Sequence, residues 1–157
     1  MATVMINGRR KADVREGPAR VVTGTIEFSS RGDADVVRIT ADVAEALAQS
    51  GLRDGTVTVF APGATGAVTT IEYEPGVVHD LRQVLDEIAP PGRRWRHNVN
   101  NGDGNGHSHV RAGLLGPSLT VPFVDGRMTL GTWQEIVFCD LDTRPRSRKL
   151  VVQVMGV

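Results

Sequence analysis

Two periodicities alternate along this chain. Residues 20–28 crowd together the β-branched side chains of Val21, Val22, Thr23, Thr25 and Ile26, and short apolar runs of the same kind recur at 36–39, 56–60, 67–71, 119–123, 127–130, 133–141 and 150–155. Bounded by Gly, Pro, Asp and Ser, such runs predict strands. Ser29 to Asp33 predicts a hairpin turn between the first two, Pro62-Gly63-Ala64-Thr65-Gly66 a tight connection whose clustered N–H groups suit an anion, and Val124-Asp125-Gly126 a second hairpin. The other period is helical. Thr40 reads as an N-cap with Val43, Ala44 and Leu47 following and Gly51 as the stop, which predicts a helix over 41–50. Val77, Val78, Leu81, Val84, Leu85 and Ile88 form an apolar stripe ended by Pro90-Pro91-Gly92, and residues 110–115 add one or two turns before Gly116-Pro117. The expected class is α+β, with strands dominating and two main helices.

Composition narrows the picture. A chain of 157 residues with 40% hydrophobic content is the size of one domain, residues 1–157, with residues 1–18 read as a polar N-terminal arm. Lys+Arg 18 balance Asp+Glu 18, so no net field favours nucleic acid or an anionic membrane as partner. Cys139, the single cysteine, forbids an intrachain disulfide, and no run approaches the roughly 20 apolar residues that span a bilayer. A cytoplasmic location is expected. The basic turn Arg144-Pro145-Arg146-Ser147-Arg148-Lys149 reads as a solvated hairpin tip between the last two strands.

Candidate chemistry concentrates in His97-Asn98-Val99-Asn100-Asn101-Gly102-Asp103-Gly104-Asn105-Gly106-His107-Ser108-His109, which holds all of the histidines except His79. In extended backbone the His107-x-His109 pair would present both rings on one face, and His97 would complete an open metal site. A polar Asn/Gly loop that collects histidines without function is the plain alternative. His79 lies off the stripe of its helix and reads as solvated. Asn101-x-Asp103-x-Asn105-Gly106 matches the first half of a calcium loop, but Ala112 stands where the bidentate glutamate belongs. Glu72 and Glu74, alternate residues at a strand end, would share a face. Ser118 lacks the glycine frame of a nucleophile elbow, and Cys139 sits mid-strand.

Longer motifs carry a resemblance. His109-Val110-Arg111-Ala112-Gly113-Leu114-Leu115-Gly116-Pro117-Ser118-Leu119-Thr120-Val121-Pro122, then Asp125-Gly126-Arg127, then Leu130-Gly131-Thr132-Trp133-Gln134-Glu135-Ile136, is similar to the YjbQ-like family, whose members are associated with secondary thiamine-phosphate synthase activity. The resemblance implies an α+β two-sheet β-sandwich that assembles as a homotrimer, with a histidine-lined site for a divalent metal, zinc first. It also implies a small phosphorylated substrate, with a pyrimidine pyrophosphate joined to a thiazole phosphate. His97, His109 and Glu72 match family positions, whereas Gly63 stands where many members carry histidine; His107 is expected to replace that imidazole. Gly63 opening a backbone pocket for an anion is the competing expectation. Under this reading Arg111, Ser118 and Thr120 contact phosphate, and Glu72 and Arg111 serve catalysis. Two alternatives stand beside it: a metal-dependent hydrolase with Glu72 as general base, and a non-enzymatic trimer that binds a phospho-ligand.

Overall fold

The predicted strands form, but most of them pair with partners far away in the chain. A computed structural model describes residues 16–157 in full and, before them, the backbone of two paired strands, β1 (Ala2–Ile6) and β2 (Arg9–Val14). The polar arm expected over residues 1–18 holds this β1–β2 pair in its backbone, and its side chains before Glu16 lie outside the described residues. A five-stranded antiparallel sheet runs in the order β3 (Arg20–Ser30), β10 (Arg146–Gly156), β5 (Gly55–Phe60), β7 (Ser118–Val124), β8 (Arg127–Met128). A three-stranded antiparallel sheet runs β4 (Asp35–Arg38), β9 (Gln134–Asp140), β6 (Gly66–Glu72).

Three expected neighbours are therefore separated. β3 pairs with β10 and β4 with β9, so the hairpin read between them is a crossing from one sheet to the other. β5 and β6 split in the same way, as do β9 and β10. Only the Asp125-Gly126 turn closes a hairpin as expected, with φ of 51° and 73° at its two residues, the left-handed pair that matches strand twist.

The sheets face each other across a core of Val57, Val59, Val121, Phe123, Ile136, Phe138, Leu150 and Val152, closed at one side by Val43 and Leu47 of α1 (Thr40–Ser50). Thr40 does not cap α1. Its hydroxyl accepts from Ile136 N at 2.8 Å, tying the helix to β9. The other face of the small sheet is apolar too: Val137 and Cys139 of β9 and Ala67 of β6 pack with Leu85 of α2 (Pro75–Ile88) and Ala112 of α4 (Gly106–Leu115). Burial on both faces explains why β9 reads as an almost continuous apolar run. It also pushes the Cys139 thiol up to about 12, which leaves it inert.

Four helices replace the two expected, because the histidine run folds as α3 (Arg96–Asn101) and α4. The basic turn is not a solvated tip either. Arg148 Nε reaches the fully buried Asp140 Oδ2 at 2.7 Å, and Arg146 Nε reaches Asp142 Oδ2 at 2.7 Å. Burial alone would raise the Asp142 carboxyl; the Arg146 bond, the Thr143 N–H and the charges of Arg146 and Arg148 outweigh it and hold it below its ordinary value. Among the described residues no helix is long and apolar enough to cross a membrane.

Candidate metal centre

Helical backbone decides which histidines meet. Residues i and i+2 of a helix point about 200° apart, so His107 and His109 leave α4 on opposite sides. His107 turns inward and is 5% exposed, with Nδ1 buried and unpartnered; burial first, then the charge of Arg111, lowers its pKa. His109 turns outward to meet His97 of α3, ring centroids 4.5 Å apart. The extended His-x-His pair is thus replaced by a pair drawn from two helices.

The third member is Asp103, in the loop between those helices. Ligand atoms of His97, Asp103 and His109 all lie within 4.8 Å of one another. His97 Nδ1 sits 3.2 Å from Asp103 Oδ1, yet it is buried and makes no hydrogen bond. Among the described residues that leaves a buried polar atom without a hydrogen bond, a feature that calls for an explanation in a folded chain. His109 Nδ1 lies 2.9 Å from the carbonyl oxygen of Ala64. That oxygen can only accept, so Nδ1 carries a proton, and in the neutral ring the Nε2 lone pair faces the cluster.

The surroundings hold this arrangement. Asn98 Oδ1 accepts from Gly106 N at 2.8 Å, fastening α3 to α4. The helices approach so closely there that a Cβ on Gly106 would lie 2.7 Å from Trp95 Cβ. The Ala64 carbonyl is placed by its neighbour Thr65, whose hydroxyl accepts from Arg148 Nη2 at 3.1 Å and donates to Asp142 Oδ2 at 3.3 Å. Beside His109 opens a shallow, mostly apolar cleft of about 200 Å³ lined by Gly63, Ala64, Gly66, Gly113 and Pro117. Gly63, at φ +113°, leaves its side-chain position open, which fits the pocket expected of it in shape.

The remaining expected residues lie elsewhere. Arg111 is 2% exposed; its Nε and Nη2 donate to the Ala89 carbonyl at 3.0 and 2.7 Å and Nη2 to Asp86 Oδ1 at 2.6 Å, so it closes the C-terminal end of α2, buried away from a ligand in solution. Ser118 donates to Val59 O at 3.2 Å, and Thr120 faces Thr58 across the β7–β5 pair at 2.9 Å. Nothing joins either to Arg111. Glu72 ends β6 opposite Gln134, about 20 Å of extended strand from Gly66 and the cleft. Glu74 does not share its face but caps α2, accepting from Gly76 N at 2.8 Å and from Val77 N. Asp103 is the member of the cluster that the sequence does not single out as a ligand. Its signal lay in the alternating oxygens of Asn101, Asp103 and Asn105, set aside when the calcium loop failed at Ala112.

Fold and cluster define a class: a two-sheet α+β protein with a histidine–carboxylate cluster where two short helices meet a sheet-connecting loop. Residues 24–157 match the family model described as UPF0047 protein YjbQ-like, and the chain belongs to that family. A UPF0047 protein of Methanothermobacter thermautotrophicus is 38% identical over 136 residues, covering 87% of this chain and 93% of its own. The Bacillus subtilis UPF0047 protein YugU is 31% identical over 134 residues, covering 84% and 98%. Among solved structures, a YbjQ-like protein of unknown function from Sulfolobus solfataricus superposes with a TM-score of 0.85 at 29% identity, covering 89% of this chain and 100% of that one. These relatives establish the family and the fold; the family is one of unknown function.

Proposed function

We propose that the protein holds a divalent metal ion through His97, Asp103 and His109 and acts on a small phosphorylated molecule in the adjoining cleft. The observation that carries the reading is the convergence of those three ligand atoms, with a buried His97 nitrogen that faces Asp103 and makes no hydrogen bond among the described residues. Two imidazoles and one carboxylate are a donor set of open catalytic zinc sites, so zinc is the first candidate. When bound, such an ion would supply neutralisation of charge on a phosphoryl oxygen. The chain's own part is orientation: Ala64 fixes the His109 tautomer, and Gly63 and Gly113 leave room for a substrate close to that ring. The exposed Arg94 and Arg96 line a separate cavity of about 410 Å³ with Val99 and Asn100, so the phosphorylated substrate enters this reading through the family resemblance.

Thiamine-phosphate formation, in which the thiazole nitrogen bonds to the pyrimidine methylene as pyrophosphate leaves, enters this reading through the family resemblance. Hydrolysis with Glu72 as base is disfavoured by that residue's place at the far end of β6. Assembly as a homotrimer belongs to the same reading and enters it through the family resemblance. So does a cytoplasmic setting, with which the lone buried thiol of Cys139 is compatible.

The test is metal content per subunit of tag-free protein by plasma mass spectrometry. Near-stoichiometric zinc lost in His97→Ala, Asp103→Ala and His109→Ala but kept in His107→Ala is the expected result. Metal retained by the first three variants, or absent from the native chain after zinc dialysis, overturns the site. Incubation of the zinc-loaded protein with the pyrimidine and thiazole substrates then asks for thiamine phosphate and pyrophosphate. Their absence overturns the activity and leaves the site standing.

A further inference from the structure

The cluster holds one more polar group. A corner of the Asn105 carboxamide lies 3.0 and 3.2 Å from the two carboxylate oxygens of Asp103 and 3.2 Å from His109 Nε2. As nitrogen, that corner donates to the Asp103 carboxylate, which can only accept, and to His109 Nε2, which accepts in the neutral ring whose proton Nδ1 gives to Ala64. As oxygen, it becomes a further acceptor among acceptors, which their mutual repulsion forbids unless a cation sits between them. The two orientations differ by a half-turn about a terminal torsion whose profile is broad and nearly twofold. Nothing else claims the side chain: Asn105 occupies the N-cap of α4, where its amide makes no capping bond, and the cap is served by its main-chain carbonyl accepting from Ser108 N at 2.9 Å.

We propose that Asn105 is a cation-dependent switch within the cluster. Without an ion its amide nitrogen bridges Asp103 and His109; with one, the carboxamide turns and offers Oδ1 as a further ligand. This rests on the metal reading above and deepens it. The nitrogen-facing state neutralises the mutual repulsion of the ligands, so the cluster stays assembled when no ion is held. The cost of binding is then the exchange of those donor bonds for one ligand bond, which tunes affinity without moving either helix.

The experiment is a competition titration of Zn²⁺ against a chromophoric chelator for the native chain, Asn105→Ala and Asn105→Asp, with the side-chain amide resonances of Asn105 followed by ¹H–¹⁵N NMR. Because the amide makes no capping bond, the Ala variant keeps its fold, which its thermal midpoint checks. The proposal expects about a 10-fold or greater loss of Zn²⁺ affinity in Asn105→Ala, recovery in Asn105→Asp, and displacement of the native amide pair during the titration. Affinity that is equal or tighter in Asn105→Ala makes the residue a mere competitor and overturns the switch while the metal site stands. An amide pair unmoved at saturation overturns it too. A native chain that binds Zn²⁺ no better than His97→Ala overturns the metal reading itself, and the switch with it.

Discussion

Replacing Arg111 with Met separates a structural lock from a ligand contact. The guanidinium is 2% exposed, and two of its N–H groups converge on the Ala89 carbonyl while one reaches Asp86. Methionine keeps much of the aliphatic volume and removes every donor. Ala89 is fully buried at the end of α2, so its carbonyl loses a charge-assisted bond and is stranded, a penalty of about 2–4 kcal/mol. Asp86 is 60% exposed and returns to water, so the ion pair adds only about 0–1 kcal/mol. For a chain of this size that corresponds to a fall in thermal midpoint of about 5–15 °C. Asp86→Asn, the control, should move it by about 4 °C or less on the same scaling. Calorimetry with urea titration reads both. A methionine variant as stable as the native chain that has lost affinity for inorganic phosphate would refute the lock and restore the ligand role.

Two further predictions concern the same helix. The lowered pKa of His107 means that the unfolded chain takes up a proton the folded one refuses. Stability from this group is complete above its ordinary 6.5 and falls as pH drops from there towards the folded value. His107→Asn should flatten the acid limb below that point, and parallel stability curves for the two chains would count against the argument. Gly106→Ala places a methyl 2.7 Å from Trp95 Cβ and 2.8 Å from Asn98 Oδ1, costing about 1–3 kcal/mol and parting α3 from α4. Zinc affinity should fall with stability; an alanine variant unchanged in both would show that the close approach is not needed.

What the sequence disclosed depended on how local the controlling interaction is. The stripe from Val77 to Ile88 predicted α2, because a helix closes its own hydrogen bonds within each turn, and Asp125-Gly126 predicted its hairpin for the same local reason. Even so, the stripe is only partly used: Leu85 is buried while Val84 and Ile88 stay exposed. Partner choice is different. Strands β3 and β4 were legible as strands, but apolar alternation says nothing about which edge they join, so neighbours in sequence were read as neighbours in space. In the site, Gly102, Gly104 and Gly106 punctuate the chain so heavily that α4 was missed over its first turns. That error put His107 beside His109. His97 and His109 survived it because their meeting needs only that the two helices touch, whereas Asp103 and Asn105 enter through the loop that joins them.

The pairing of β3 with β10 matters for how the chain acquires its structure. Arg20 lies opposite Gly156 and Ser30 opposite Arg146, and β10 is also the only strand joining β3 to β5. During synthesis, residues 20–30 emerge early and wait for residues 146–156, so the large sheet cannot be built in the order of translation. A nascent chain halted before β10 would carry two unpaired strand edges, a template for aggregation. Folding is therefore expected to be slow, to depend on those residues having left the ribosome, and to be the step at which a chaperone has most to offer.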